Sequence, residues 1–110
     1  MKYHSTKTVI DGIKFDSKSE SRRYQELKLL ESAGEIHHLT LQPEYVLIPS
    51  FKKNGRTFRK TVYRADFAYI TNDGKRIVED VKGFKTDVYK LKKKLFEFTY
   101  PDLTIKEVYL

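Results

Sequence analysis

The sequence predicts a mixed α/β fold in a single domain, residues 1–110, with a mixed sheet flanked by two helices. Two stretches repeat apolar residues at helical spacing, and several short β-branched or aromatic runs are bounded by turn residues. No linker, repeat or low-complexity segment divides the chain. Hydrophobic residues make up 39% and charged residues 34% of the 110 residues, which is typical of a folded domain. The expected order is β-hairpin, α, β, β, β, α, β.

The chain is expected to begin with a tight hairpin and a helix. Residues 8–15 turn at Asp11-Gly12, a dipeptide typical of two-residue hairpin loops. A helix is predicted from Ser17 to Ala33, and Gly34 follows as its C-terminal cap.

One face of this first helix combines a carboxylate with apolar side chains. Glu20, Tyr24 and Leu27 are separated by four and three residues and therefore share a face, which Leu30 extends. A carboxylate on the core side of a helix needs a cation, a metal or a hydrogen-bond partner. Ser17 to Glu20 also fits a capping box, so that Glu20 has a functional and a structural interpretation, and one side chain can serve both.

The central part of the chain reads as strands. Residues 35–39 and a strand through 45–48 come first, and a basic loop at 52–56 follows, in which Asn54-Gly55 is also an ordinary hairpin turn. Two longer strands, 62–70 and 76–82, are joined by the turn at 71–74.

A second helix and a last strand complete the chain. Thr86 or Asp87 caps a helix that runs to about Phe98, and Pro101 stops it. A strand is predicted over 103–110. The apolar stripe expected to face the core is Val88, Leu91, Leu95 and Phe98.

The charge balance points to a polyanionic partner. The formal net charge is +7, from 22 Lys and Arg against 15 Asp and Glu, and nucleic acid is the commonest partner for such an excess. Solvated lysine-rich surfaces are the alternative. No exposed aromatic platform for base stacking is expected, because most aromatic residues occupy core-compatible positions. The candidate phosphate-contacting residues are Lys52, Lys53, Arg56, Lys85, Lys90, Lys93 and Lys94.

Several features are missing from the sequence. No apolar run reaches the length of a membrane span, and the first residues lack the apolar region of a signal peptide. The absence of cysteine excludes disulfides, thiolate zinc sites and cysteine nucleophiles. The expected location is therefore the cytoplasm.

Two aspartates and a lysine are predicted to converge on the long hairpin. Asp80 and Lys82 project from the same side of their strand, and Asp66 lies in the strand paired with it. Two carboxylates and an ammonium on one patch suit metal-assisted phosphodiester cleavage. The alternatives are an Asp66–Arg64 pair and an ordinary Asp80–Lys82 ion pair. Glu79 is a rival carboxylate, but it lies on the opposite face, without a lysine.

Four segments resemble the PD-(D/E)XK nuclease superfamily, and most of all its small phage and prophage endonucleases that are Holliday-junction-resolvase-like. Residues 15–24 resemble the signature of the first helix, and residues 42–47 resemble the strand that follows. Residues 63–67 and 78–83 resemble the catalytic hairpin. The family often has proline before the first aspartate, whereas this chain has Ala65.

The resemblance implies a restriction-endonuclease-like core with a Mg²⁺ or Mn²⁺ site. Asp66, Asp80 and the carbonyl of Val81 would hold the ion, with Glu20 contributing directly or through water. Lys82 would orient or help deprotonate the attacking water.

The resemblance also implies a partner and an assembly. The partner would be DNA, branched or double-stranded, with four-way junctions favoured. Cutting two opposed strands would suit a homodimer, working in a bacterial host cell if the protein is phage-derived. The alternative is a non-catalytic nucleic-acid-binding protein with a degenerate nuclease site.

Overall fold

The structure, a computed structural model, describes residues 7–109 and confirms the mixed α/β class. Neither helix in this part of the chain is long and apolar enough to cross a membrane. The elements are β1 (Thr8–Ile10), β2 (Ile13–Phe15), α1 (Lys18–Ser32), β3 (Ile36–Leu41), β4 (Glu44–Ile48), β5 (Phe51–Lys53), β6 (Arg56–Phe58), β7 (Thr61–Arg64), β8 (Phe67–Thr71), β9 (Arg76–Val81), α2 (Asp87–Thr99) and β10 (Ile105–Val108).

The described residues contain more strands than the predicted order. The expected loop at 52–56 is a hairpin, β5 and β6, whose Asn54-Gly55 turn has positive φ at both positions. The expected strand 62–70 is broken at Ala65 and Asp66 into β7 and β8. The break has a physical cause: the backbone changes partners there, since β7 pairs with β4 whereas β8 pairs with β3 and β9.

The largest sheet has four strands in the order β10-β9-β8-β3. β10 is parallel to β9, and the other two pairs are antiparallel. The β8–β9 register places Phe67 opposite Glu79 and Tyr69 opposite Ile77. Three two-stranded ribbons, β1-β2, β4-β7 and β5-β6, complete the strand pairing in the described residues.

The two helices cover different faces of the sheet, and β9 contributes to both cores. Val78 belongs to the cluster that contains the α2 residues, whereas Ile77 and Val81 pack against the cluster that contains the α1 residues. The α2-side cluster is Leu47, Tyr63, Ala65, Val78, Tyr89, Phe96, Leu103 and Ile105. The α1-side cluster is Phe15, Tyr24, Leu27, Ile36, Phe67 and Tyr69.

The predicted stripe on α1 is correct except at its end. Glu20, Tyr24 and Leu27 are buried, but the prediction for Leu30 is wrong, because this side chain is exposed. The last turn of α1 instead turns Glu31 toward β3, where its Oε2 accepts a hydrogen bond of 3.2 Å from the Leu39 amide.

The predicted core face of α2 is wrong. Val88, Leu91 and Phe98 are 64%, 57% and 85% exposed, and Leu95 is only partly buried. Tyr89 and Phe96, seven residues apart, form a competing stripe and occupy the core. Aromatic side chains bury more area, and Phe96 packs edge-on against the Tyr45 and Tyr63 rings.

Candidate active site

The carboxylate of Asp66 contacts the strand that carries Asp80. Its Oδ2 accepts a hydrogen bond of 2.8 Å from the Val81 amide, fifteen residues along the chain. The Asp66 amide donates to the Glu79 carbonyl at 3.1 Å, and the Asp66 carbonyl accepts from the Gln42 amide at 2.9 Å. The strand break therefore leaves Asp66 firmly held, with its carboxylate directed at the Asp80-Val81-Lys82 segment.

Glu20 reaches the same place from α1, where its amide takes part in the helix cap and its carboxyl group contacts Asp66. Its amide donates to the Ser17 Oγ at 3.1 Å, which is the helix-capping contact. Its buried carboxyl group hydrogen-bonds to the Asp66 side chain. Burial and then the negative charge of Asp66 raise the pKa of Glu20 to about 8, which favours the protonated form of Glu20 near neutral pH.

Asp80 and Lys82 form the other half of the site. Lys82 Nζ lies 3.7 Å from Asp80 Oδ1 and 3.6 Å from the centre of the Tyr89 ring. Asp80 is only 3% exposed, and its Oδ2 is buried without a hydrogen-bond partner in the described structure. Burial raises the pKa of Asp80 to about 6, although the Lys82 ammonium opposes the shift.

Glu79 is committed to another contact, as the strand alternation suggested. It is fully buried and faces α1, where Arg23 donates to its two oxygens at 2.9 and 2.7 Å. The Tyr69 hydroxyl donates to the same carboxylate. Sequence reasoning missed this ion pair, which ties α1 to β9 next to the Glu20–Asp66 contact. The feature of the sequence that could have indicated this ion pair was Arg23, which follows Glu20 by three residues.

The three predicted carboxylates do not gather around one point, because Glu20 contacts Asp66 whereas Asp80 contacts Lys82. Among residues 7–109, no three His, Asp or Glu side chains stand arranged to hold a metal ion. Glu20 approaches from α1, Asp80 lies beside Lys82 and the α2 residue Tyr89, and Asp66 lies between them. The donor chemistry nevertheless suits a hard cation, since Glu20, Asp66 and Asp80 would offer carboxylate oxygens and Asp80 Oδ2 is buried without a partner among the described residues.

The predicted basic residues lie on two separate surfaces. Lys52, Lys53 and Arg56 belong to the exposed β5–β6 hairpin. The others line a groove of about 400 Å³ along α2, and Tyr89, the ring beneath Lys82, connects this groove to the carboxylates. The groove is lined by Lys85, Tyr89, Lys90, Lys93, Lys94, Glu97 and Glu107.

Two of the groove lysines form ion pairs with the same carboxylate, that of Glu107, a residue that sequence reasoning missed. Lys85 and Lys93 contact its two oxygens at 2.9 and 3.3 Å, and the Tyr89 hydroxyl donates at 2.7 Å. Although burial opposes the shift, these hydrogen bonds lower the pKa of Glu107 to about 2. Lys90 and Lys94 form no ion pair with the described residues, so they carry the free charge of the groove.

The expectation that no exposed aromatic platform exists is wrong. The rings of Phe51 and Phe58 stack across the β5–β6 hairpin with centroids 4.9 Å apart and planes inclined by 11°. The two residues are 46% and 42% exposed. The signal in the sequence was their symmetrical placement around Asn54-Gly55, which makes them cross-strand neighbours.

Comparison with known proteins identifies a family for this chain, but the description of that family gives no activity. No curated protein and no solved structure gives a significant match to the chain. One family model matches residues 1–109, and its description is "Protein of unknown function (DUF1064)". The chain therefore belongs to the DUF1064 family.

Proposed function

We propose that this protein is a metal-dependent DNA endonuclease of the PD-(D/E)XK type, built on a restriction-endonuclease-like core. One observation carries the proposal. Asp66, which hydrogen-bonds to Glu20, also accepts a hydrogen bond from the amide of Val81, the residue between Asp80 and Lys82. Residues far apart in sequence thus place the Asp66 carboxylate, with Glu20 in contact, beside the strand segment that carries Asp80 and Lys82. Buried carboxyl groups with raised pKa values are typical of functional sites that bind a cation.

The proposed ligands of Mg²⁺ or Mn²⁺ are Glu20, Asp66, Asp80 and the Val81 carbonyl. When bound, such an ion lowers the pKa of water and polarises a phosphoryl group. The Tyr89 ring and Asp80 hold the Lys82 ammonium beside these groups. From there Lys82 would orient the attacking water and oppose the negative charge that develops on the phosphate.

The proposed substrate is DNA, held mainly through its phosphates. Lys90 and Lys94 in the α2 groove, with Lys52, Lys53 and Arg56 on the β5–β6 hairpin, supply cations on two separate surfaces. Binding through phosphates is blind to sequence and weakens with salt. Branched DNA such as four-way junctions, and work in the cytoplasm of a bacterial host cell, remain part of the proposal.

A homodimer is proposed to form through the exposed stripe of α2. Val88, Leu91 and Phe98 repeat at the spacing of a two-helix interface, with Leu95 between them. Charge complementarity favours a second copy in parallel, because Asp87 then lies beside Lys92 of the partner subunit. This stripe is on a different side of α2 from the lysine groove, so a dimer leaves the groove open.

The proposal is tested by cleavage of supercoiled plasmid and of a four-way junction. Cleavage should need Mg²⁺ or Mn²⁺, stop in EDTA, and be lost in Asp66→Ala and Lys82→Ala, which still bind DNA. Matched controls are Asp102→Asn and Lys106→Ala, whose exposed side chains lie outside the proposed site. Cleavage that persists in EDTA or in both site variants would refute the proposal.

The second candidate is a nucleic-acid-binding protein that retains a degenerate nuclease site. It is favoured by one observation, namely that the carboxylates of the described residues do not stand ready around one point. It predicts salt-sensitive DNA binding and no cleavage with either metal ion, at any protein concentration.

A further inference from the structure

The β5–β6 hairpin, hereafter the arm, is unlike the rest of the molecule. Its strands pair Phe51 with Phe58, Lys52 with Thr57 and Lys53 with Arg56. Every residue from 48 to 60 is exposed, so the arm stands clear of both cores on both of its faces. An isolated two-stranded hairpin is marginally stable in water, and such an element in a small domain needs a reason other than core packing.

One face of the arm combines flat rings with cations. Because strand side chains alternate, Lys53 and Arg56 project from the same face as Phe51 and Phe58, one step nearer the turn. Residues 51–60 contain five Lys and Arg and no Asp or Glu. None of these five cations forms an ion pair within residues 7–109. The arm therefore concentrates much of the net charge of the chain around a stacked aromatic pair.

This combination fits nucleic acid better than protein or lipid. A cross-strand aromatic pair stabilises a hairpin, but that role requires neither five cations nor the absence of acidic residues. Exposed rings stack on bases of any sequence, and neighbouring cations bind the adjacent phosphates. Bases inside a duplex are already stacked, so a ring surface gains most from a base that has left the stack.

We propose that the arm binds unpaired nucleotides, with a base stacked on the Phe51–Phe58 pair and Lys53 and Arg56 on the flanking phosphates. This inference rests on the proposed nuclease function in one respect: it gives that nuclease a preference for DNA with unpaired bases near the cut. The binding itself requires no cleavage.

The chain offers a clean optical test because it contains no tryptophan. Phe58→Trp places a single indole in the aromatic pair. Leu29→Trp, the control, places a single indole on the exposed side of α1, outside the arm. Titration with single-stranded oligo(dT) in EDTA should quench the Phe58→Trp fluorescence and leave Leu29→Trp unchanged. Quenching that is absent or equal in the two variants would overturn the inference.

Affinity measurements separate stacking from charge. Phe51→Leu with Phe58→Leu keeps apolar side chains but removes the rings, and should weaken single-strand binding about tenfold while duplex binding changes less than twofold. Lys53→Ala with Arg56→Ala should weaken both and lower the salt dependence of single-strand binding by about 1.4 in log–log slope. Equal losses for single strand and duplex in the Leu variant would show that the rings only hold the hairpin together.

These outcomes are independent of cleavage. A protein that never cuts DNA but shows the oligo(dT) quenching keeps the arm inference and loses the nuclease proposal. If the protein cuts DNA with Mg²⁺ but oligo(dT) does not quench the Phe58→Trp fluorescence, the nuclease proposal stands and the arm inference is refuted. Binding of the arm to no nucleic acid at all would favour a protein partner and overturn the inference.

Discussion

Replacing Asp80 with asparagine should stabilise the metal-free protein while it abolishes cleavage. Burial raises the pKa of Asp80 from 3.8 to about 6, so keeping this group ionised at pH 8 costs about 3 kcal/mol, at 1.4 kcal/mol per pKa unit. Asparagine removes the charge but adds buried N–H donors that cost about 1 kcal/mol. The expected net gain in the free energy of unfolding is therefore about 2 kcal/mol, or about 8 °C in melting temperature.

The sign of this effect depends on pH. A carboxyl group whose pKa is raised by folding contributes stability below its unfolded pKa of 3.8, and that stability is lost as the pH rises through 6. Asp80→Asn should therefore exceed the unmodified protein in stability at pH 8 in EDTA and lose this advantage near pH 4. The assay is thermal unfolding followed by circular dichroism at the two pH values, with Asp102→Asn as an exposed control.

Magnesium supplies the second half of the test. The ion should raise the melting temperature of the unmodified protein at pH 8 and leave Asp80→Asn nearly unchanged, because the variant lacks a ligand. If Asp80→Asn is less stable than the unmodified protein at pH 8 in EDTA, the buried oxygen of Asp80 is not the unsatisfied charge that the reasoning requires.

Three further predictions concern other groups. Because the Glu20 pKa is raised to about 8, a proton competes with the metal, and Mg²⁺ should raise the melting temperature more at pH 8.5 than at pH 5.5; equal shifts would contradict this. Arg23→Ala leaves Glu79 buried and unpaired and should cost about 3–5 kcal/mol in urea unfolding, with Arg23→Lys losing less; a loss below 1 kcal/mol would show that the ion pair is dispensable. Leu91→Asp should convert the dimer to a monomer in light scattering and remove the dependence of the melting temperature on protein concentration, and a monomeric unmodified protein would refute the stripe as an interface.

Local patterns predicted the fold well where one interpretation dominated. The Asp11-Gly12 hairpin, the Ser17 and Thr86 caps and the strand carrying Asp80 all rest on short-range chemistry, and the structure confirms them. The face of α2 could not be predicted in the same way. Two apolar stripes overlap in that helix, and only packing against Tyr45 and Tyr63 decides that the aromatic stripe enters the core.

At the candidate site, too, local sequence patterns predicted some features and could not predict others. Strand alternation correctly separated Asp80 from Glu79, because the period of two is set by the backbone. The pairing of Glu79 with Arg23 and of Glu107 with two lysines joins residues 56, 22 and 14 positions apart, and no local pattern encodes such distances. The sequence also predicted three carboxylates around one point, whereas in the structure Glu20 contacts Asp66 and Asp80 contacts Lys82, because Glu20 and Asp80 come from different layers.

The measurement that tests the central claim most directly is the anomalous scattering of manganese in a crystal of the protein soaked in Mn²⁺. We predict a single strong peak bounded by the side-chain oxygens of Asp66 and Asp80 and the Val81 carbonyl, with Glu20 within reach directly or through water. A map with no peak between these residues, at a manganese concentration that supports cleavage in solution, would contradict the account.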